Sequence, residues 1–336
     1  LYGPVGNEQS LRSRPGRTAG TCPYSKLTGK SPLYGPVGNE QSLRSRLAQQ
    51  FLQKTDPVSG GDGKFSLTEL EATLLNNRTY LGDSILTALK SRCAAHGAVA
   101  VSGVSGISGT EVKAGCDALA RWNGRMDAAS VGALVFREFA EQFALLPNSD
   151  KWAKAFSSAY PLSTPNTLST KSTIMQAFAR GLRSIKAAGF SVTAPLGTVQ
   201  FVERSTVTGA PSGTRWPWAG ANDVEGGFNV FAAEEEHDGT LLPRHVYPSL
   251  NGTQLSKKGY HITYGSSWMY VLAFTDTGPQ ARGLLTYSQS DDRQSPHYLD
   301  QTTYYSQAPR LRPIRFTEAD IAANLREEKN LQKRVR

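Results

Sequence analysis

The spacing of apolar residues changes about halfway along the chain. In "SLRSRLAQQFLQ", Leu43, Leu47, Phe51 and Leu52 recur at the interval of one helical face. From Ser66, "SLTELEATLLNN" sets Ser66 and Glu69 at capping-box separation and then places Leu67, Leu70, Leu74 and Leu75 on one stripe, which predicts a helix. "GTEVKAGCDALARW" and "SVGALVFREFAEQFALL" predict two more. "STIMQAFARGLRSIKAAG" predicts a fourth, ended by Gly189, since glycine takes the left-handed conformation that closes helices. Beyond Val192 prolines, glycines and aromatics become frequent. "GSSWMYVLAFT" (Gly265 to Thr275) and "ARGLLTYSQ" (Ala281 to Gln289) then predict two antiparallel strands around the turn "DTGPQ", too short for a parallel crossover. Under strict alternation Trp268, Tyr270, Leu272 and Phe274 share one face and Met269, Val271 and Ala273 the other. Both sets are apolar, so both faces are expected to be buried. A last helix is expected in "TEADIAANLREEKNLQ", opened by Thr317 with Asp320 three residues on. Helices followed by strands indicate an α+β domain, or a helical insertion on a β scaffold.

One pattern has no period. "LYGPVGNEQSLRSR" runs from Leu1 to Arg14 and recurs letter for letter from Leu33 to Arg46. Architectural repeats drift in sequence and need about three copies to bury a shared face, so this is a copied stretch. The second copy leads into the helical spacing at Leu43. The first runs into "PGRTAGTCPYSK", whose proline and glycines stop a helix. Residues 1–26 are therefore expected to pack poorly, residues 27–190 to be mainly helical, and residues 191–336 to form a β-rich part with a terminal helix.

Length and composition set bounds. The chain has 336 residues, 39% of them hydrophobic, enough for one large domain or two ordinary ones. No run reaches the roughly 18 apolar residues of a membrane helix, and no signal peptide is evident at the start. The net charge is +9, but the basic residues are scattered except from Arg326 to Arg336, the pattern of a solvated face rather than a nucleic-acid site. Of three cysteines, Cys93 and Cys116 flank a Gly-, Ser- and Val-rich segment that reads as a loop tied at its base. Two unpaired buried thiols are the alternative. A bridge implies an oxidising compartment, and Cys22 has no evident partner.

Several motifs carry little chemistry. "DPVSGGDGKFSLTELE" places Asp62, Gly63, Phe65 and Glu69 at positions five, six, eight and twelve of a calcium loop, but Val58 and Gly60 stand where oxygen ligands are required. Glu69 fits the capping box better. "GVSGISG" (Gly103 to Gly109) lacks a nucleophile-elbow register and reads as a flexible loop. His297 and Asp300 suggest two members of a triad, but the five histidines show no metal-ligand spacing and structural hydrogen bonding explains the pair. The glycosylation-type matches at Asn77 and Asn251 are expected by chance at this length.

The β-rich half carries a specific signature: Gly265-Ser266-Ser267, Arg282-Gly283-Leu284-Leu285, Ser288-Gln289-Ser290, Ser295-Pro296-His297-Tyr298 with Asp300-Gln301, then Phe316-Thr317-Glu318. In this order they closely resemble the C-terminal part of the β chain of penicillin acylase family amidohydrolases, in the branch of acyl-homoserine-lactone and aculeacin-type acylases. "NTLSTKSTIMQAFARG", "APLGTVQ", "GGFNVF" and "LTGKSPLYGPVGNEQSLRSRL" extend the likeness to about Leu27 through Asn330. The second copy is then the family segment in place and the first a displaced duplicate. The resemblance implies part of a four-layer αββα N-terminal-nucleophile fold with a helical insert, and a Cys93–Cys116 pair. It also implies a periplasmic or secreted location, no cofactor, and as partners the acylase α chain, the N-terminal part of the β chain and a small acyl-amide substrate. Family members attack with an N-terminal serine whose own amine is the base, and hold the oxyanion with a backbone N–H and an asparagine. Here Leu1 stands first, "RPGRTAGTCPYSK" replaces the Ser-Asn-Asp-Ser-type motif, and an arginine of some members falls at about Asn39. The expectation is a chain without catalytic residues, inactive alone. A non-catalytic remnant or binding protein is the alternative.

Overall fold

The computed structural model describes residues 39–53, 64–233 and 247–328. The first copy of the repeat lies outside them, and so does the expectation about residues 1–26. Val58, Gly60, Asp62 and Gly63 of the calcium-like loop also fall outside.

The helical half comprises α1 (Leu43–Gln53), α2 (Leu67–Leu75), α3 (Tyr80–His96), α4 (Gly109–Arg121), α5 (Ala133–Ala144), the single turn α6 (Asn148–Lys151), the short antiparallel pair β1 (Trp152–Lys154) and β2 (Asn166–Leu168), and α7 (Thr173–Ala188). The capping box at Ser66 and Glu69 is formed, and the Ser66 hydroxyl accepts from the Glu69 N–H at 3.2 Å. Gly189 ends α7 at φ 81. α5 and α7 make the closest helix contact. A Cβ built on Gly181 would meet the Glu138 carbonyl carbon at 2.7 Å, so only glycine lets these backbones approach.

Arg44 and Arg46 show what the second copy of the repeat does. Arg44 Nε donates to the Phe228 carbonyl at 3.1 Å. Arg46 donates to the carbonyls of Leu162 and Pro165 at 3.2 and 2.9 Å, with its guanidinium 4.2 Å from the Tyr80 ring centre. The copied letters thus anchor α1 to segments more than a hundred residues away.

Cys93, near the end of α3, and Cys116, in α4, form a disulfide with Cα atoms 5.3 Å apart. The segment between them is less loop-like than its composition suggests, because α3 runs to His96 and α4 starts at Gly109. The remaining loop is not free either. Val101, Val104 and Ile107 are buried, and the Ser102 and Gly106 carbonyls accept from Gln176 and Lys186 of α7.

The second half contains β3 (Gln200–Ser205), β4 (Pro211–Pro217), β5 (Phe231–Ala232), β6 (Tyr260–His261), β7 (Tyr264–Gly265), β8 (Trp268–Thr275), β9 (Gly278–Leu285), α8 (Asp300–Gln307), β10 (Arg312–Ile314) and α9 (Glu318–Asn324). Buried β3 pairs antiparallel with β4 and parallel with β6. β5 pairs with β7, and β9 lies between β8 and β10. The described residues are thus α+β, with a main hydrophobic core running from Leu81 of α3 through α5 and α7 to Met269, Leu284 and Tyr305, and a small second cluster of Leu47, Phe51 and Tyr80.

The β8–β9 hairpin is antiparallel as expected, paired from Trp268↔Leu285 to Thr275↔Gly278. Its turn is only Asp276-Thr277, shorter than the five residues expected, because Gly278 at φ 107 admits a tighter reversal. The expected burial of both faces is overturned. Met269, Val271 and Leu284 are buried, and α2 packs across β8 and β9, with Glu71 paired to Arg282. On the other face Trp268 is 50% exposed, Tyr270 41% and Phe274 83%. Alternation reports that both faces are apolar, but not whether the covering layer belongs to the same stretch of chain.

Two outcomes follow for urea unfolding. Met269→Ala should cost about 2–5 kcal/mol by leaving a core cavity, whereas Phe274→Ser should stay within about 0.5 kcal/mol; equal effects would contradict a one-sided sheet. Replacing Cys93 and Cys116 with serine should cost about 3 kcal/mol, since the bridge closes a loop of some two dozen residues in the unfolded chain.

Candidate functional site

The structure separates the residues that the sequence brought forward. Cys93 and Cys116 are joined and buried, a structural role. His297 Nδ1 lies 3.0 Å from Asp300 Oδ2, but the two are three residues apart at the entry to α8 on an exposed surface. Asn77 is buried and donates to Asp127 Oδ1 at 2.9 Å, which leaves no room for a glycan, whereas Asn251 is exposed. Asn39 is exposed. Among the described residues there is no cluster of His, Cys, Asp or Glu that could hold a metal, and no helix long and apolar enough to cross a membrane.

The first candidate surface is the outward face of β8 and β9. The Trp268 and Tyr270 rings stack with centres 5.7 Å apart. A Cβ on Gly283 would meet the Trp268 ring at 2.5 Å, so the indole lies flat across the strand because this position lacks a side chain. Phe274 extends the patch, and β8 is the terminal strand of its sheet, with its outer edge unpaired within that sheet. An edge of this length, without the proline or charge that usually blunts one, is poised to take up another element.

The second candidate is a polar network inside the molecule, which sequence reasoning missed. Arg137 of α5 is 1% exposed. Its Nε and Nη2 donate to Glu225 Oε1 and Oε2 at 3.0 and 3.1 Å, Nη2 also reaches the Gly220 carbonyl, and Nη1 donates to Gln200 Oε1 of β3. Burial opposes its charge, but the adjoining Glu225 outweighs this and the guanidinium is held more firmly protonated than usual. At the next position, Glu138 accepts from the Tyr260 hydroxyl of β6 through Oε1, while among the described residues Oε2 has no hydrogen-bond partner. Burial pushes the Glu138 carboxyl up to about 8. Glu141 accepts from Asn222 Nδ2 at 2.7 Å, and burial, with Glu225 nearby, pushes it up to about 7. One signal was available in the sequence: in "ALVFREFAEQFALL" the pair Arg137-Glu138 is wedged between Val135-Phe136 and Phe139-Ala140, leaving no polar stripe wide enough to hold both in water. Its partner Glu225, 88 residues on, had none.

The penicillin amidase family model matches residues 16–323, and the chain belongs to that family. The acyl-homoserine lactone acylase PvdQ of Pseudomonas putida is 30% identical over 308 residues, covering 90% of this chain and 33% of that protein. Aculeacin-A acylase of Actinoplanes utahensis is 27% identical over 278 residues, covering 82% of this chain and 30% of that protein. The chain thus spans about a third of the length of these relatives. A thermostable penicillin G acylase from Alcaligenes faecalis superposes with a TM-score of 0.40 at 14% identity, over 90% of this chain and 54% of that one.

Replacing Arg137 with methionine should cost about 3–5 kcal/mol in urea unfolding, because Glu225 is left buried without its cation. Adding Glu225→Leu should recover most of that loss, and additive losses in the double-mutant cycle would show that the pair is not coupled.

Proposed function

We propose that this chain is the scaffold portion of an N-terminal-serine acylase whose whole form hydrolyses the amide between an acyl chain and homoserine lactone, or the amine of a lipopeptide or β-lactam. The reading of the reaction is supported by family membership and by the relatives named for acyl-homoserine lactones and for aculeacin A. In this scheme the nucleophilic serine, its amine and the oxyanion asparagine come from the N-terminal part of the β chain, and the acylase α chain completes the pocket. The present residues contribute a helical insert and part of a four-layer sandwich, in a periplasmic or secreted protein.

The observation that carries the scaffold reading is the outward face of β8. Exposed Trp268, Tyr270 and Phe274 on a terminal strand form the kind of surface that soluble chains cover with a partner element. The missing layers of the sandwich would lie there. The buried Arg137 network serves the reading differently, by making the insert and the sheets a single rigid support.

The test is to incubate the purified chain with a long-chain acyl-homoserine lactone and follow release of free homoserine lactone by mass spectrometry. No release above a heat-denatured control is expected, since removing the nucleophile alone lowers turnover by about a millionfold in a hydrolase studied this way. Turnover above that control would overturn the assignment and place a nucleophile within these 336 residues.

A further inference from the structure

We propose that the Glu138 carboxyl is a proton-held lock between α5 and the sheets, closed while the proton is bound and released in alkaline solution. Three carboxyl groups, Glu138, Glu141 and Glu225, meet at this point of the molecule, and Arg137 is the cation placed among them. All three ionised would leave two uncompensated negative charges in the interior, at a cost far above that of protonating a carboxylate.

Hydrogen-bond geometry says which group keeps its proton. The Arg137 guanidinium is committed to Glu225, Gln200 and the Gly220 carbonyl, and Glu225 Oε2 also accepts from the Asn222 N–H at 2.9 Å. Glu141 has Asn222 Nδ2 as donor and is partly exposed. Glu138 is 0% exposed, receives one neutral hydroxyl, and holds its other oxygen without a partner. An ionised carboxylate offers about four acceptor sites, and one filled by a neutral donor is a poor environment for the anion. The neutral acid suits it, with Tyr260 donating to one oxygen and the Thr253 hydroxyl near enough to interact with the carboxyl.

Among the described residues, the cations on the other elements packed against α5 are engaged elsewhere: buried Arg204 of β3 donates to the Tyr287 carbonyl and lies over the Tyr298 ring. On α7, Lys186 is paired with Glu111, Arg180 donates to Gln176, and Arg183 lies against Gly106. On α4, Lys113 is paired with Asp117 at the surface. On β3, Glu203 faces Arg215 and the Gly213 N–H, and His261 of β6 turns to the Glu203 carbonyl. Gly181 presses against the Glu138 backbone and closes the approach from α7. Deprotonation delivers the proton to bulk hydroxide and leaves an anion close to Glu141, at the joint that the Tyr260 hydrogen bond makes between α5 and β6.

The sign of the pH effect follows. The native carboxyl titrates near 8 and the unfolded one near the ordinary value of 4.5, so between these the native state holds more protons. The stabilisation is complete below the unfolded value and is lost as pH rises to about 8, where the native group itself ionises.

The experiment measures urea unfolding of the full chain at half-unit steps from pH 5 to 9.5, for wild type, Glu138→Gln and Glu141→Gln. Wild type should show an unfolding constant rising by up to about tenfold per pH unit for each held proton. Glu138→Gln should lose one proton's worth of that slope between pH 5 and 8, whereas Glu141→Gln should lose its own share only up to about pH 7 and keep the slope between pH 7 and 8. Amide exchange in α5, corrected for intrinsic base catalysis, should accelerate from pH 5 to 8 and level off above that in wild type, with one proton's worth of that rise missing in Glu138→Gln. Should Glu138→Gln not fold, difference infrared spectra of Glu141→Gln decide, with a protonated-carboxyl band expected at pH 6 that fades around pH 8. An unchanged slope in Glu138→Gln, or no such band at pH 6, overturns the proposal.

Discussion

The Arg137 guanidinium is the constraint on which the rest of the structure depends. It sits on a helix whose other positions are mostly apolar, and it contacts β3 through Gln200 and the segment after β4 through Gly220 and Glu225. A buried cation cannot be left half satisfied, because an unpaired charge in the interior costs several kcal/mol. Five donors in a planar fork then fix the position and rotation of α5 against the sheets more tightly than apolar packing could. α7 follows, since Gly181 allows it against α5 and nowhere else as closely. α4 follows in turn, through Gly115 against Leu182 and through the disulfide to α3.

Much of this fold is legible in the sequence. Periodicity and caps gave α1, α2, α4, α5 and α7, and α2 starts at the capping box because Ser66 and Glu69 satisfy local donors whatever the rest of the chain does. α3 was overlooked, although Leu81, Ile85, Leu89 and Cys93 recur every four residues behind a Thr79 cap. Gly82 and the serines and threonine that follow dilute that stripe. The polar network was hidden for another reason. Its members come from residues 137, 200, 225 and 260, and no spacing rule connects positions so far apart.

The hairpin marks the boundary of what local pattern can say. Met269 and Trp268 are neighbours in an alternation whose two faces look equally apolar, yet one is buried by α2 and the other stands half in water. In a family whose curated members are about three times as long, an apolar face without a cover has an evident use. A core pinned by Arg137 thus lies behind a sheet whose outer aromatic face is exposed, the face proposed to receive another part of an acylase.

Hydroxyl-radical footprinting of the purified full chain tests that claim most directly. Trp268, Tyr270 and Phe274 should be labelled at rates near those of the free amino acids, while Met269 is protected despite the greater intrinsic reactivity of its sulfur. Protection of Trp268 and Phe274 in the isolated chain would mean that the chain covers its own sheet on both sides, leaving no face for a partner.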